Sequence, residues 1–175
     1  MFFVVIFTSN KDHSKSLRNF KLSGIKTLSY ENLNKKVEQR KIGNFEIVTF
    51  VVAHNVDNWG IVITDTISKQ KLCYVTDFSS MPKIEGIDIW LYEINHDEKS
   101  VLKALEKDTV ESIHINNGLK NHNSLEKAVK YFNGLKYPPK QIILCHLSNE
   151  FGNRKTALKE MKQFCDNIKI AEKGD

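Results

Sequence analysis

Side chains of metal-ligating type sit where four hydrophobic stretches of this sequence give way to polar residues. Asp12 and His13 follow the apolar run Met1–Phe7, His54 closes FVVAH, Asp77 closes CYVTD, and His146 closes IILCH. Imidazole nitrogen and carboxylate oxygen are the donors that zinc and its relatives take in compact four- or five-coordinate sets. Functional groups are commonly mounted on loops that leave the ends of rigid strands. Such a set meets only if the fold brings those strand ends together. Each residue alone has a plainer reading: Asp12 as a helix cap with His13 exposed, Asp77 as a turn former, His54 and His146 as hydrogen-bonded structural histidines. One pattern repeated at four strand ends is what points to a metal.

The elements that must position these residues follow from hydrophobic patterning. Met1–Phe7 reads as a buried strand, and a helix beginning at Asp12 or Ser14 runs to Ser23, with Gly24 ending it. IKTLSY is a short strand, Phe45–His54 a longer one, and Gly60–Asp65 pairs with it across NVDN, with Asn58-Trp59-Gly60 making the tight turn into that strand. Lys71–Asp77 and Ile87–Ile94 are further strands, the latter apolar throughout and central. Helices are expected over Asp97–Asp108, Asn123–Leu135 and Asn153–Asn167, with a buried strand at Gln141–Cys145 and an edge strand at IKIAEK. Strands dominate the first half and alternate with helices in the second, which predicts an α/β domain. Uninterrupted apolar strands imply a sheet covered on both faces.

Composition narrows the class. The chain has 175 residues with 41% hydrophobic content, enough for one domain over 1–175 with a real core. No apolar run approaches the roughly 20 residues that span a bilayer, and Met1–Phe7 lacks the basic flank and cleavage site of a signal peptide, so no membrane association and a cytoplasmic location are expected. Cys73, Cys145 and Cys165 are an odd set without regular spacing, which argues against a disulfide framework, and the absence of a CxxC excludes a thiolate zinc ribbon. A net charge of +5 favours anionic partners. The densest basic stretch, Asn34–Lys41, reads as an exposed turn or short helix.

With the order Asp-His, His, Asp, His in view, the sequence resembles the metallo-β-lactamase superfamily, in particular its phosphodiesterase branch, which includes RNase Z and exonuclease-like relatives. The matching stretches are TSNKDH, VVAHNVDNWGIVITD, LCYVTDFSS, IDIWLYEINHDE and HNSLEKAVKYFNGLKYPPKQIILCHLSNE, running from about Phe2 to about Asn153. The family opens its site with HxHxDH; here Thr8 and Asn10 stand where the first two histidines would be. The resemblance implies an αββα sandwich that lacks the opening strands of its first sheet, and therefore a domain partial at its N-terminus. An exposed sheet edge would favour a homo-oligomer or a covering partner chain.

By the family pattern, Asp12, His13, His54, Asp77 and His146 are the metal ligands, with Asp77 bridging. Loss of the two histidines leaves one complete site, so one zinc ion per chain is expected, or manganese or iron in its place. The implied activity is metal-dependent hydrolysis of a phosphodiester in nucleic acid or a cyclic nucleotide. Asp12, His122 and His96 are the candidate catalytic groups, the two histidines as proton donors or phosphate contacts. Trp59 reads as either a base-stacking ring or core. Asn149 and Asn153 follow the last ligand on a loop suited to donating hydrogen bonds to phosphate. The alternative is an inactive relative that binds nucleotide or nucleic acid, or serves as a protein-interaction module.

Overall fold

The computed structural model describes residues 5–8, 26–29, 39–106 and 119–171. Strands β1 (Val5–Thr8) and β2 (Lys26–Ser29) pair in parallel as a separate two-stranded sheet. The main sheet has seven strands in chain order: β3 (Gln39–Ile42), β4 (Phe45–Val52), β5 (Asn58–Asp65), β6 (Lys71–Val75), β7 (Ile89–Glu93), β8 (Gln141–Cys145) and β9 (Ile168–Ile170). Helices α1 (Glu98–Glu106) and α2 (Leu125–Asn133) lie between β7 and β8, and α3 (Arg154–Met161) lies between β8 and β9. The expected α/β architecture is present. The helix expected before Ser23 lies outside the described residues.

Strand direction decides where the polar strand ends go. Strands β3 to β6 are antiparallel neighbours joined by short connections, and β6 to β9 are parallel. Because β4 and β6 are both antiparallel to β5, they run the same way. The C-terminal ends of β4, β6, β7 and β8 therefore share one edge of the sheet, together with the N-terminal end of β5. Two hydrogen bonds stitch that edge: Ala53 N donates to Ser80 O, and Ser79 N donates to Ala53 O.

Period-two alternation sorts the side chains of the sheet. On one face, Phe50, Val52, Cys73, Val75, Trp90, Tyr92, Ile142 and Leu144 form the main core with Ala128 and Phe132 of α2 and Ala157 and Met161 of α3. On the other, Ile47, Trp59 and Ile61 form a second buried cluster. Ser124 caps α2 by accepting from Lys127 N. Asn153 caps α3 by accepting from Thr156 N, so its side chain is engaged in the helix start. The last helix is shorter than expected, and Cys165 is buried in the turn that follows it. All three cysteines are free thiols.

Two expectations are corrected. Residues 39–42 of the basic stretch are not turn or helix but edge strand β3, because the two-residue loop Gly43-Asn44 closes a hairpin onto β4, with Gly43 at φ 59°. Asn58-Trp59-Gly60 is not a turn but the start of β5; Trp59 is core at 3% exposure and offers no face to a base. Gly60 has a packing reason: it lies opposite Phe50 in the register, and a Cβ there would meet Cζ of that ring at 2.1 Å. Gly60→Ala is expected to force the Phe50 ring from its site and destabilise the domain by about 1–3 kcal/mol, read as a lower urea midpoint. An unchanged midpoint would show that the ring has room to yield.

Candidate metal centre

At the shared sheet edge, Asp77, Glu93, His122 and His146 each offer a ligand atom, and these atoms lie within 4.8 Å of one another. Each arrives from a different segment: Asp77 just past β6, Glu93 as the last residue of β7, His122 just before α2, and His146 just past β8. Asp77 and His146 adopt left-handed backbone, φ 55° and 57°. For residues other than glycine that conformation costs on the order of 1–2 kcal/mol. Such strain persists only where surrounding contacts enforce it.

Two asparagine side chains, Asn58 and Asn95, supply those contacts, and a third, Asn123, holds Glu93. Asn58 Nδ2 donates to the carbonyls of both Thr76 and Asp77. Asn123 Nδ2 donates to Glu93 O at 2.9 Å, and Asn95 Nδ2 donates to His146 O at 3.1 Å. Three of the four clustered residues thus have their main chain held by an amide. Asn58 and Asn123 are buried, at 0% and 2% exposure.

Glu93 organises the histidines. Its Oε2 accepts from Phe78 N at 3.0 Å, and its Oε1 lies 2.7 Å from His122 Nδ1 and 2.8 Å from His146 Nδ1. A carboxylate only accepts, so both rings carry a proton on Nδ1 and present Nε2 outward. His54 shows the same arrangement, with Nδ1 donating to Asn121 O at 3.0 Å. Burial pushes the Glu93 carboxyl upward, but the hydrogen bonds and charges of His122 and His146 outweigh it and hold it below its ordinary value. The same hydrogen bond to Glu93 raises His146 against the opposing effect of burial.

This donor set fits a divalent cation. Imidazole nitrogen and the Asp77 carboxylate are borderline and hard donors of the kind zinc, manganese or iron accepts, while both oxygens of Glu93 are engaged by Phe78 N and the two rings. A carboxylate behind each histidine is the arrangement that orients imidazole ligands. Asp77 Oδ1 stands 3.3 Å from His146 Nδ1, so the carboxylates converge with the rings.

Of the residues singled out in the sequence, Asp77, His146 and His122 come together. His54 stands beside them, its ring centroid 5.4 Å from that of His122, without joining the four. His96 is not brought in: it is 4% exposed, and burial lowers its pKa. Asp12 and His13 lie outside the described residues. Glu93 was not singled out, although the signal was present: it ends an uninterrupted apolar strand as Asp77 and His146 do.

Asn58→Ala leaves two carbonyls without their donor. It is expected to lower stability by about 1–3 kcal/mol and to weaken zinc binding, measured by calorimetric titration, by about 10–100-fold. Asn95→Ala, at a more exposed bond, is expected to do less. The metal-free protein should also show a pH signature. Glu93 is depressed below 4.5, so its contribution is present above that pH and is lost as pH falls through its folded value. His146 is raised above 6.5, so its contribution is complete below 6.5 and is lost as pH rises through its folded value. Thermal midpoints in chelator should therefore be highest between the two, and zinc, which needs neutral imidazole, should raise the midpoint most on the alkaline side. A zinc effect that does not grow with pH would contradict histidine ligation.

No family model matches the sequence, and no curated protein does. Similar solved structures include the metallo-β-lactamase fold protein YhfI from Bacillus subtilis, 18% identical with a TM-score of 0.59 over 98% of this chain and 63% of that one. The short form of human tRNase Z is 14% identical with a TM-score of 0.53, over 97% of this chain and 65% of that one. Unliganded yeast PDE1 is 14% identical with a TM-score of 0.54, over 93% of this chain and 52% of that one. The chain spans less than two thirds of each of these three. No helix among the described residues is long and apolar enough to cross a membrane. The mixed sheet, the shared strand-end edge and these likenesses agree with the sequence resemblance: the chain has the metallo-β-lactamase fold.

Proposed function

We propose that this chain is a metal-dependent phosphodiesterase acting on nucleic acid or a nucleotide. The convergence of Asp77, Glu93, His122 and His146 at the strand-end edge carries the reading. The names of two structural neighbours, tRNase Z and PDE1, support the substrate class. Asp77 and His146 would hold the ion, with His54 and, from the sequence, Asp12 and His13 as further ligands. One zinc per chain is proposed, with manganese or iron as the other candidates. A bound divalent cation would polarise a phosphoryl oxygen and lower the pKa of its water towards about 7.

The chain's own residues supply the remainder. Glu93 fixes the Nδ1 proton of His122 and of His146 and so turns both Nε2 atoms to the open side. In its doubly protonated form, with Glu93 holding the Nδ1 proton, His122 is suited to hand its second proton from Nε2 to the departing oxygen and return to the neutral ring. That role falls to His122 rather than His96, whose ring is buried. Thr8 and Asn10, where the resemblance has histidines, favour a second reading: a module that binds nucleotide or nucleic acid without cutting it.

Elemental analysis and turnover of bis(p-nitrophenyl) phosphate separate the two. The enzyme reading expects a transition metal retained on purification and hydrolysis that chelator abolishes. Asp77→Asn and His146→Ala should each reduce turnover by at least about 100-fold. Oligonucleotide binding with neither metal nor turnover would establish the binding module.

A further inference from the structure

Beside the metal centre, a groove of about 550 Å³ runs between α2 and the 78–83 segment, within the range of ligand sites of roughly 300–1,000 Å³. It adjoins the cluster through the chain itself, since its lining residues Phe78 and Asn123 directly follow Asp77 and His122. Its rim is cationic. Lys127 and Lys130 stand one helical turn apart on α2, both exposed, and no carboxylate lies within ion-pair distance of either among the described residues. Lys83 faces them from the other wall, paired with Glu85 at 2.7 Å. The walls are tied together: Tyr131 Oη accepts from Ile84 N at 3.0 Å and donates to Pro82 O at 3.4 Å. Tyr131 and Met81 contribute partly exposed apolar surface. The acidic side chain nearest on α2, Glu126, is engaged elsewhere, accepting from Glu98 N.

We propose that this groove is a second binding site of the protein, one that holds the phosphates and bases of single-stranded nucleic acid flanking the bond at the metal centre. An apolar floor beneath a lysine rim is the combination that takes bases and phosphates together. A cyclic mononucleotide carries one phosphate, which the metal centre would engage, and has none left for Lys127 and Lys130. The inference rests on the phosphodiesterase reading only for the role of that nucleic acid as substrate; binding in the groove is measurable without turnover.

The test is fluorescence anisotropy of short labelled oligouridylate and oligothymidylate with the full chain in chelator. Lys127→Glu/Lys130→Glu should weaken binding at least about tenfold. Between ~50 and 200 mM salt its log–log slope should be shallower by about 1.4, two phosphates at about 0.7 each. Lys127→Gln/Lys130→Gln should give a smaller loss in the same direction, with circular dichroism verifying the fold of both. Lys155→Glu/Lys159→Glu, the same charge change on exposed positions of α3, should leave affinity unchanged. Absence of binding by the wild-type chain, equal losses from both charge-reversed pairs, or full displacement of the oligonucleotide by cyclic AMP would each overturn the groove. Loss of binding in the groove variants alongside a wild-type chain unable to turn over bis(p-nitrophenyl) phosphate would uphold the groove and defeat the phosphodiesterase reading.

Discussion

The carboxylate of Glu93 is the constraint on which the site depends. It is fully buried and accepts from Phe78 N, His122 Nδ1 and His146 Nδ1. An isolated carboxylate in that position would be strongly disfavoured, so its partners are required rather than incidental. Those partners belong to the segment after β6, the segment before α2 and the residue after β8. One anion thereby ties three neighbouring segments to the end of β7. It also fixes the tautomer of two imidazoles, which decides which nitrogen is left to meet a cation or a substrate.

Strand direction makes that convergence possible. A hairpin half and a crossover half share one sheet, and β6 belongs to both. Parallel crossovers return each chain segment to the same starting edge, so consecutive strands deliver their final residues to one line. The antiparallel half adds the end of β4 and the start of β5 to the same line. Asn58, at that start, reaches across to the carbonyls of Thr76 and Asp77. Behind the edge, Trp90, Tyr92 and Phe132 stack edge to face in the core and hold α2 on the sheet. The helix that carries Lys127 and Lys130 is therefore fixed by the same core that carries the strands ending at the cluster.

The sequence by itself determined the strands β4 to β8 and the helices of the second half, because continuous apolar runs and 3.6-residue periodicity are local signals. It also determined that Asp77, His146 and His54 end strands. It misread residues 39–42, where a hairpin partner overrides a polar, basic composition, and Asn58-Trp59-Gly60, where the close approach of Phe50 explains a glycine that looked like a turn residue. Only the tertiary structure decided that Glu93 sits at the centre of the cluster, that His122 joins it and that His96 does not. Those outcomes depend on strand order and direction, which bring together residues up to 69 positions apart, from Asp77 to His146. No local pattern carries that information, since a polar residue ending an apolar strand has the same appearance in sequence whether it turns toward a common centre or into solvent.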